Sequence, residues 1–164
     1  HYLQRDKARR ARELAEEALQ LQSDQPVALY TLAKMEWSIG KPAEALKILE
    51  GAIEKHAHHE LLLDLLAAIK IDQKEFDAAA KLYLTAHEQD PYRQKWVEGL
   101  VRLYLKQNDT GKLVPMLEKL VQMDADNATA RQKLAEIYYQ KKDWPSAARW
   151  ARETMHINIK PVEL

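Results

Sequence analysis

Four leucines, Leu32, Leu66, Leu100 and Leu134, recur at 34-residue intervals, and their surroundings recur with them. Directly after each stands Ala33, Ala67, Val101 or Ala135; thirteen residues past each leucine stand Ala45, Ala79, Leu113 and Ala147; seven further on stand Ala52, Ala86, Leu120 and Thr154. No insertion or deletion breaks this register. A period of this length describes an array in which each copy is one supersecondary unit. A single unit cannot hide its own apolar side, so a core forms only when neighbours stack.

Within each copy the apolar residues fall at three- and four-residue spacing, which predicts two helices, A and B, joined by a short turn. The small residues Ala33, Ala45 and Ala52 stand where helix axes must approach closely, and Leu32 is expected to fill the seam between them. Turn residues agree with this division. Gly40 closes helix A of the first copy and Pro42 opens helix B. Asp143, Trp144 and Pro145 repeat that logic in the fourth copy, Lys74 and Asn108 replace the glycine in the second and third, and Asp90 and Pro91 open the third. The third copy is irregular: Gly111 and Pro115 fall in the expected first turns of its helix B, and the small positions hold Leu113 and Leu120. A late or bent helix, with a local change of curvature, is expected there.

This pattern resembles the tetratricopeptide repeat, whose signature is W-x2-L-G-x2-Y, then A-x3-F, a second Ala and a Pro. With copies framed as 26–59, 60–93, 94–127 and 128–161, the tyrosine position is kept by Tyr104 and Tyr138 and the terminal proline by Pro91. The leading aromatic position holds Leu29, Leu63, Val97 and Arg131, and the phenylalanine position holds Leu49, Tyr83, Leu117 and Ala151. The resemblance implies an all-α fold, a right-handed α-solenoid of stacked antiparallel helix pairs. Residues 1–164 would form a single array. In it 5–25, with Ala11, Ala15 and Ala18 at helix B offsets, is helix B of a truncated preceding repeat, and 162–164 opens a further truncated one. The chain therefore reads as a piece of a longer repeat protein.

Composition narrows the function. Charged residues make up 30% of the chain, with 25 basic balancing 25 acidic, so there is no overall attraction to nucleic acid or to an anionic membrane. No run is long and apolar enough for a bilayer crossing. A soluble protein is expected, with the cytoplasm favoured narrowly, since a chain without cysteine suits either redox compartment. Four scattered glycines cannot supply a phosphate loop, a dinucleotide fingerprint or a nucleophile elbow. No catalytic, cofactor or metal site is expected. His56, His58, His59 and Glu60 form a polar turn between the first two copies, and Leu63 stands where a zincin helix needs its second histidine. His87, late in a helix B, is explained by the helix dipole.

What remains is surface. The resemblance implies a concave groove lined by the A helices, and the register places in it Tyr30, Lys34 and Trp37, then Asp64, Ala68, Ile71 and Asp72. Lys95, Glu98, Arg102, Leu105 and Lys106 follow from the third copy, and Gln132, Glu136 and Tyr139 from the fourth. Tyr30, Trp37 and Tyr139 are of the types that dominate interface energetics, with packing between helices as their alternative role. Lys34, Lys95, Arg102 and Lys106 suit the carboxylates of a peptide, or else a solvated face. The clamp by which chaperone-binding relatives hold a terminal carboxylate is not made. Its places hold Tyr30, Lys34, Leu65, Lys95 and Gly99 in one register and Asp64, Ala68, Gly99, Thr129 and Lys133 in the next. RNA is disfavoured by Asp64, Asp72, Glu98 and Glu136 in the same lining. The function expected is a noncatalytic scaffold that binds a peptide or protein partner in the groove. The alternative is the repeat region of a larger enzyme, a hydrolase or transferase, serving substrate recruitment or domain docking.

Overall fold

A computed structural model describes residues 2–57 and 59–157 of the chain, and in these residues every regular element is an α-helix. The long α1 runs Tyr2–Leu21. Four pairs follow: α2 Pro26–Ser38 with α3 Pro42–Lys55, α4 Glu60–Asp72 with α5 Phe76–Gln89, α6 Gln94–Gln107 with α7 Thr110–Met123, and α8 Ala128–Gln140 with α9 Trp144–Ile157. The second helices of the pairs begin at 42, 76, 110 and 144, so the sequence period is reproduced in the backbone.

The turn inside each pair has one construction. Gly40, Lys74, Asn108 and Lys142 have φ of 80°, 63°, 56° and 61°. The amide of the residue after each closes back on the carbonyl five positions earlier: Lys41 on Glu36, Glu75 on Lys70, Asp109 on Tyr104 and Asp143 on Tyr138, at 2.9–3.0 Å. This satisfies carbonyls that the helix end would leave open. Gly40 adopts the left-handed conformation freely, whereas the two lysines adopt it against their Cβ. Two of the following helices, α7 and α9, are then capped by side chains: Asp109 accepts from the Lys112 amide at 3.1 Å and Asp143 from the Ser146 amide at 3.2 Å. Gln25 and Asn127 do the same for α2 and α8.

The chain divides into two compact units, His1–Ala86 and His87–Leu164. In the first, α1 packs on α2, α2 on α3, and α4 on both α2 and α3. Its core joins Ala33, Ala45, Leu49 and Ala52 to Leu62, Leu65, Leu66 and Ile69, with Leu29, Tyr30 and Trp37 packed against it. The alanines let axes approach and the leucines fill the seam, each worth roughly 1.5–3 kcal/mol when fully buried. In the second unit α6 packs on α7, α7 on α8, and α8 on α9. Of the periodic leucines, Leu66, Leu100 and Leu134 are buried, while Leu32 is only half-buried. Helix α4, which carries Leu66, lies on both α2 and α3.

Polar contacts tie helices of successive pairs at one repeated position. Glu36 on α2 pairs with Arg12 on α1 at 2.5 Å, Lys70 on α4 approaches Glu50 on α3 at 3.9 Å, and the Tyr138 hydroxyl on α8 donates to Glu118 on α7 at 3.4 Å. Burial, reinforced by Glu118, raises the Tyr138 phenol above its ordinary pKa.

Two expectations are corrected. Helix α7 does not start late, because Thr110 stands at the same offset as Pro42 and Phe76, and the Asp109 cap secures the first turn ahead of Pro115. Proline at 115 removes only the bond to the Gly111 carbonyl. His87 is not explained by the helix dipole, which would favour its charged form. Its Nε2 lies 2.6 Å from the Lys119 ammonium, and burial, with that cation, lowers its pKa.

Candidate protein-interaction surface

The expected groove residues of the first unit are largely engaged by their own neighbours. Tyr30 and Trp37 pack against the core cluster. Lys34 lies over the Tyr30 ring, 5.5 Å from its centroid, and donates to its hydroxyl at 3.2 Å. Asp64 accepts from the Tyr83 hydroxyl at 2.8 Å, which ties α4 to α5. Ile71 is buried and presents little surface. Turns rather than groove walls hold the histidines: His56 Nε2 donates to the Asp24 carbonyl at 2.6 Å, joining the turn before α2 to the turn before α4, and His59 directly precedes α4. His58 lies outside the described residues.

In the second unit the A helices α6 and α8 border a groove of about 600 Å³. Its floor is apolar, made by Val101 and Leu105 of α6, Leu117 and Leu120 of α7, and Ala130 of α8. Its rim is polar, with Glu98 on one side and Asn127, Thr129, Gln132, Lys133 and Glu136 on the other. Leu105 is 42% exposed, open to whatever enters. The rim carboxylates are already oriented: Glu98 accepts from Gln94 at 3.0 Å and Glu136 from Lys133 at 3.0 Å. With Glu98 and Glu136 against Lys133 alone, the lining carries a net negative charge. Leu120, which stands where earlier copies hold Ala52 and Ala86, is buried beneath this floor.

The register therefore brings Glu98, Leu105, Gln132 and Glu136 together, but Lys95, Arg102 and Lys106 do not line this groove. Arg102 and Lys106 are exposed on α6, and Lys95 is half-buried. Sequence reasoning missed the contribution of α7, because the groove was assigned to A helices alone. The enlarged residue Leu120, visible in the period, was the available signal.

A second apolar surface of about 510 Å³ lies on α8 and α9, lined by Ala135, Glu136, Tyr139, Gln140, Trp144, Ala147, Ala148 and Ala151. Tyr139 and Trp144 meet edge to face, centroids 5.2 Å apart, and are 64% and 55% exposed.

Tetratricopeptide-repeat family models match residues 2–69 and 98–156. The chain belongs to the tetratricopeptide repeat family. This repeat protein is similar in fold to solved structures of the same kind. MamA from Desulfovibrio magneticus RS-1 is 17% identical with a TM-score of 0.74, covering 98% of this chain and 90% of that one. PilF of Pseudomonas aeruginosa is 18% identical with a TM-score of 0.76, covering 94% and 71%. YrrB, described as a TPR protein with an unusual peptide-binding site, is 15% identical with a TM-score of 0.67, covering 95% and 80%. No curated protein matches the chain. Family and fold together make the tetratricopeptide-repeat protein a protein-interaction scaffold in general character, built on a fold that is generally noncatalytic. Among the described residues no helix is long and apolar enough to cross a membrane.

Proposed function

We propose that the tetratricopeptide-repeat protein binds a peptide segment of a protein partner in the groove between α6 and α8, without catalysis. The observation that carries this reading is an apolar floor beneath a rim rich in carboxylate. Leu105 and the half-buried Val101, backed by the buried Leu117 and Leu120, offer contact to one or two apolar anchors. Glu98 and Glu136, held by Gln94 and Lys133, favour a cationic side chain beside those anchors. The ligand is accordingly a segment with a leucine- or phenylalanine-type anchor flanked by Lys or Arg. A carboxylate-rich peptide, which the cations on α6 had suggested, is a poorer fit to this lining.

Selection of displayed random peptides against the folded chain tests the proposal. Enriched sequences should carry that pattern. Leu105→Glu, or the pair Glu98→Lys and Glu136→Lys, should weaken them at least tenfold, about 1.4 kcal/mol. Arg102→Glu, outside the lining, should leave affinity within about twofold, well under that step. Selected peptides indifferent to Leu105 and to both glutamates would remove the groove from the account.

A further inference from the structure

The two carboxylates on the rim of the α6/α8 groove are not equivalent. Glu136 has both oxygens engaged: Oε2 accepts from the Lys133 ammonium at 3.0 Å and Oε1 from the Gln132 amide at 3.4 Å. Glu98 takes only the uncharged Gln94 amide, on Oε1 at 3.0 Å, and among the described residues it meets no cation at ion-pair distance.

Packing does not call for a cation at 133. One, two and three periods earlier the same place holds Gly99, Leu65 and Thr31, none of them charged and the first two buried. Lys133 instead lines the groove and neutralises Glu136. The lining therefore offers a ligand one uncompensated carboxylate, that of Glu98 on the α6 side. A single incoming cation brings the lining to neutrality. A second would meet Glu136 already paired and Lys133 repelling it, beside an apolar floor that offers no other counter-charge. Displacing Lys133 would exchange one half-exposed ion pair for another, with no net gain.

We propose that Lys133 sets the charge of the ligand in this groove, a selectivity that rests on the groove being a peptide site. The segment it admits carries one basic residue beside its apolar anchor, seated at Glu98, and a second basic residue gains nothing. Lys133 is thus a specificity-determining residue: it fills with the chain's own ammonium the seat that Glu136 would otherwise offer. Discrimination of this kind comes from a repulsive group as much as from an attractive one.

Displayed random peptides selected in parallel against the wild-type chain and against Lys133→Gln provide the probe, with enriched sequences resynthesised and titrated by fluorescence polarisation. The wild type should enrich one Lys or Arg beside the anchor, and Lys133→Gln two. Adding a second basic residue to a peptide selected on the wild type should change its affinity for the wild type by less than about twofold. The same addition should raise its affinity for Lys133→Gln by about threefold or more, the scale of a half-exposed ion pair. Lys133→Arg, which keeps the charge, should behave as the wild type, and Glu98→Gln should weaken the singly basic peptide by about threefold or more. Equal gains from the second basic residue in wild type and Lys133→Gln, or wild-type peptides that carry two basic residues or none, would overturn the role of Lys133 while the groove stands, as long as Leu105→Glu still weakens them. Peptides indifferent to Leu105→Glu would remove the groove and this selectivity together.

Discussion

Replacing Leu66 by alanine probes the seam on which stacking depends. Leu66 is 5% exposed and shares its cluster with Ala33, Ala45, Leu49, Ala52, Leu62, Leu65 and Ile69. Removing three carbons forfeits about 2.4 kcal/mol of transfer free energy, at roughly 0.8 kcal/mol per methylene. Three of the neighbours are alanines, which have no side chain to swing into the void, so much of the cavity persists. A further ~1 kcal/mol follows, and the total should be about 3–4 kcal/mol. Urea denaturation followed by far-ultraviolet circular dichroism measures the loss. Because each helix pair is held by its neighbours, amide exchange should quicken first in α2, α3 and α4. A loss below about 1 kcal/mol with unchanged exchange in those helices would show that Leu66 fills no packed seam, and the stacking argument would fail with it.

Two other perturbations follow from the turns and from His87. Lys74→Gly and Lys142→Gly, at φ of 63° and 61°, should each stabilise the protein by about 1 kcal/mol, because glycine adopts that region without a Cβ penalty; lower melting temperatures would contradict this account of the turns. The His87 imidazole, held below its ordinary pKa by burial and then by Lys119, favours its neutral form in the fold. Its contribution to stability is therefore present above the unfolded value, near pH 6.5, and lost as the pH falls through the lower folded value. His87→Gln should flatten the fall in stability between about pH 7 and 5; an unchanged acid limb would mean that burial and Lys119 do not hold this histidine neutral.

The period made most of the architecture legible, because helix packing imposes it directly. Small residues at crossings and leucines at seams are required by geometry, and the positions of Gly40 and Asn108 already located the turns. Lys74 and Lys142 were harder, since lysine has no preference for a left-handed turn and only their register points to it. Pro115 misled because proline was weighed alone, without the Asp109 cap that starts the helix ahead of it. The surface was the least legible part. Which face a residue occupies can be read from period, but Asp64 bonding to Tyr83 and Leu120 underlying the α6/α8 groove depend on side chains from a second helix. The cations of α6 suggested an acidic ligand. The α6/α8 groove is rimmed by Glu98 and Glu136, both placed in the lining by the register, while Arg102 and Lys106 lie outside it.

The polar contacts between successive pairs bear on how such a chain can lengthen. Tandem duplication is the simplest way to extend a repeat, and a duplicated 26–59 would lay a second Glu36 over α3. The places of Arg12 and Glu16 there are taken by Leu46 and Glu50. A carboxylate whose side chain is only 14% exposed beside Arg12 would then face a leucine and another carboxylate, with its charge uncompensated. The copies are thus keyed to their places, and a new one could be accommodated only if its junction residue changed in the same step.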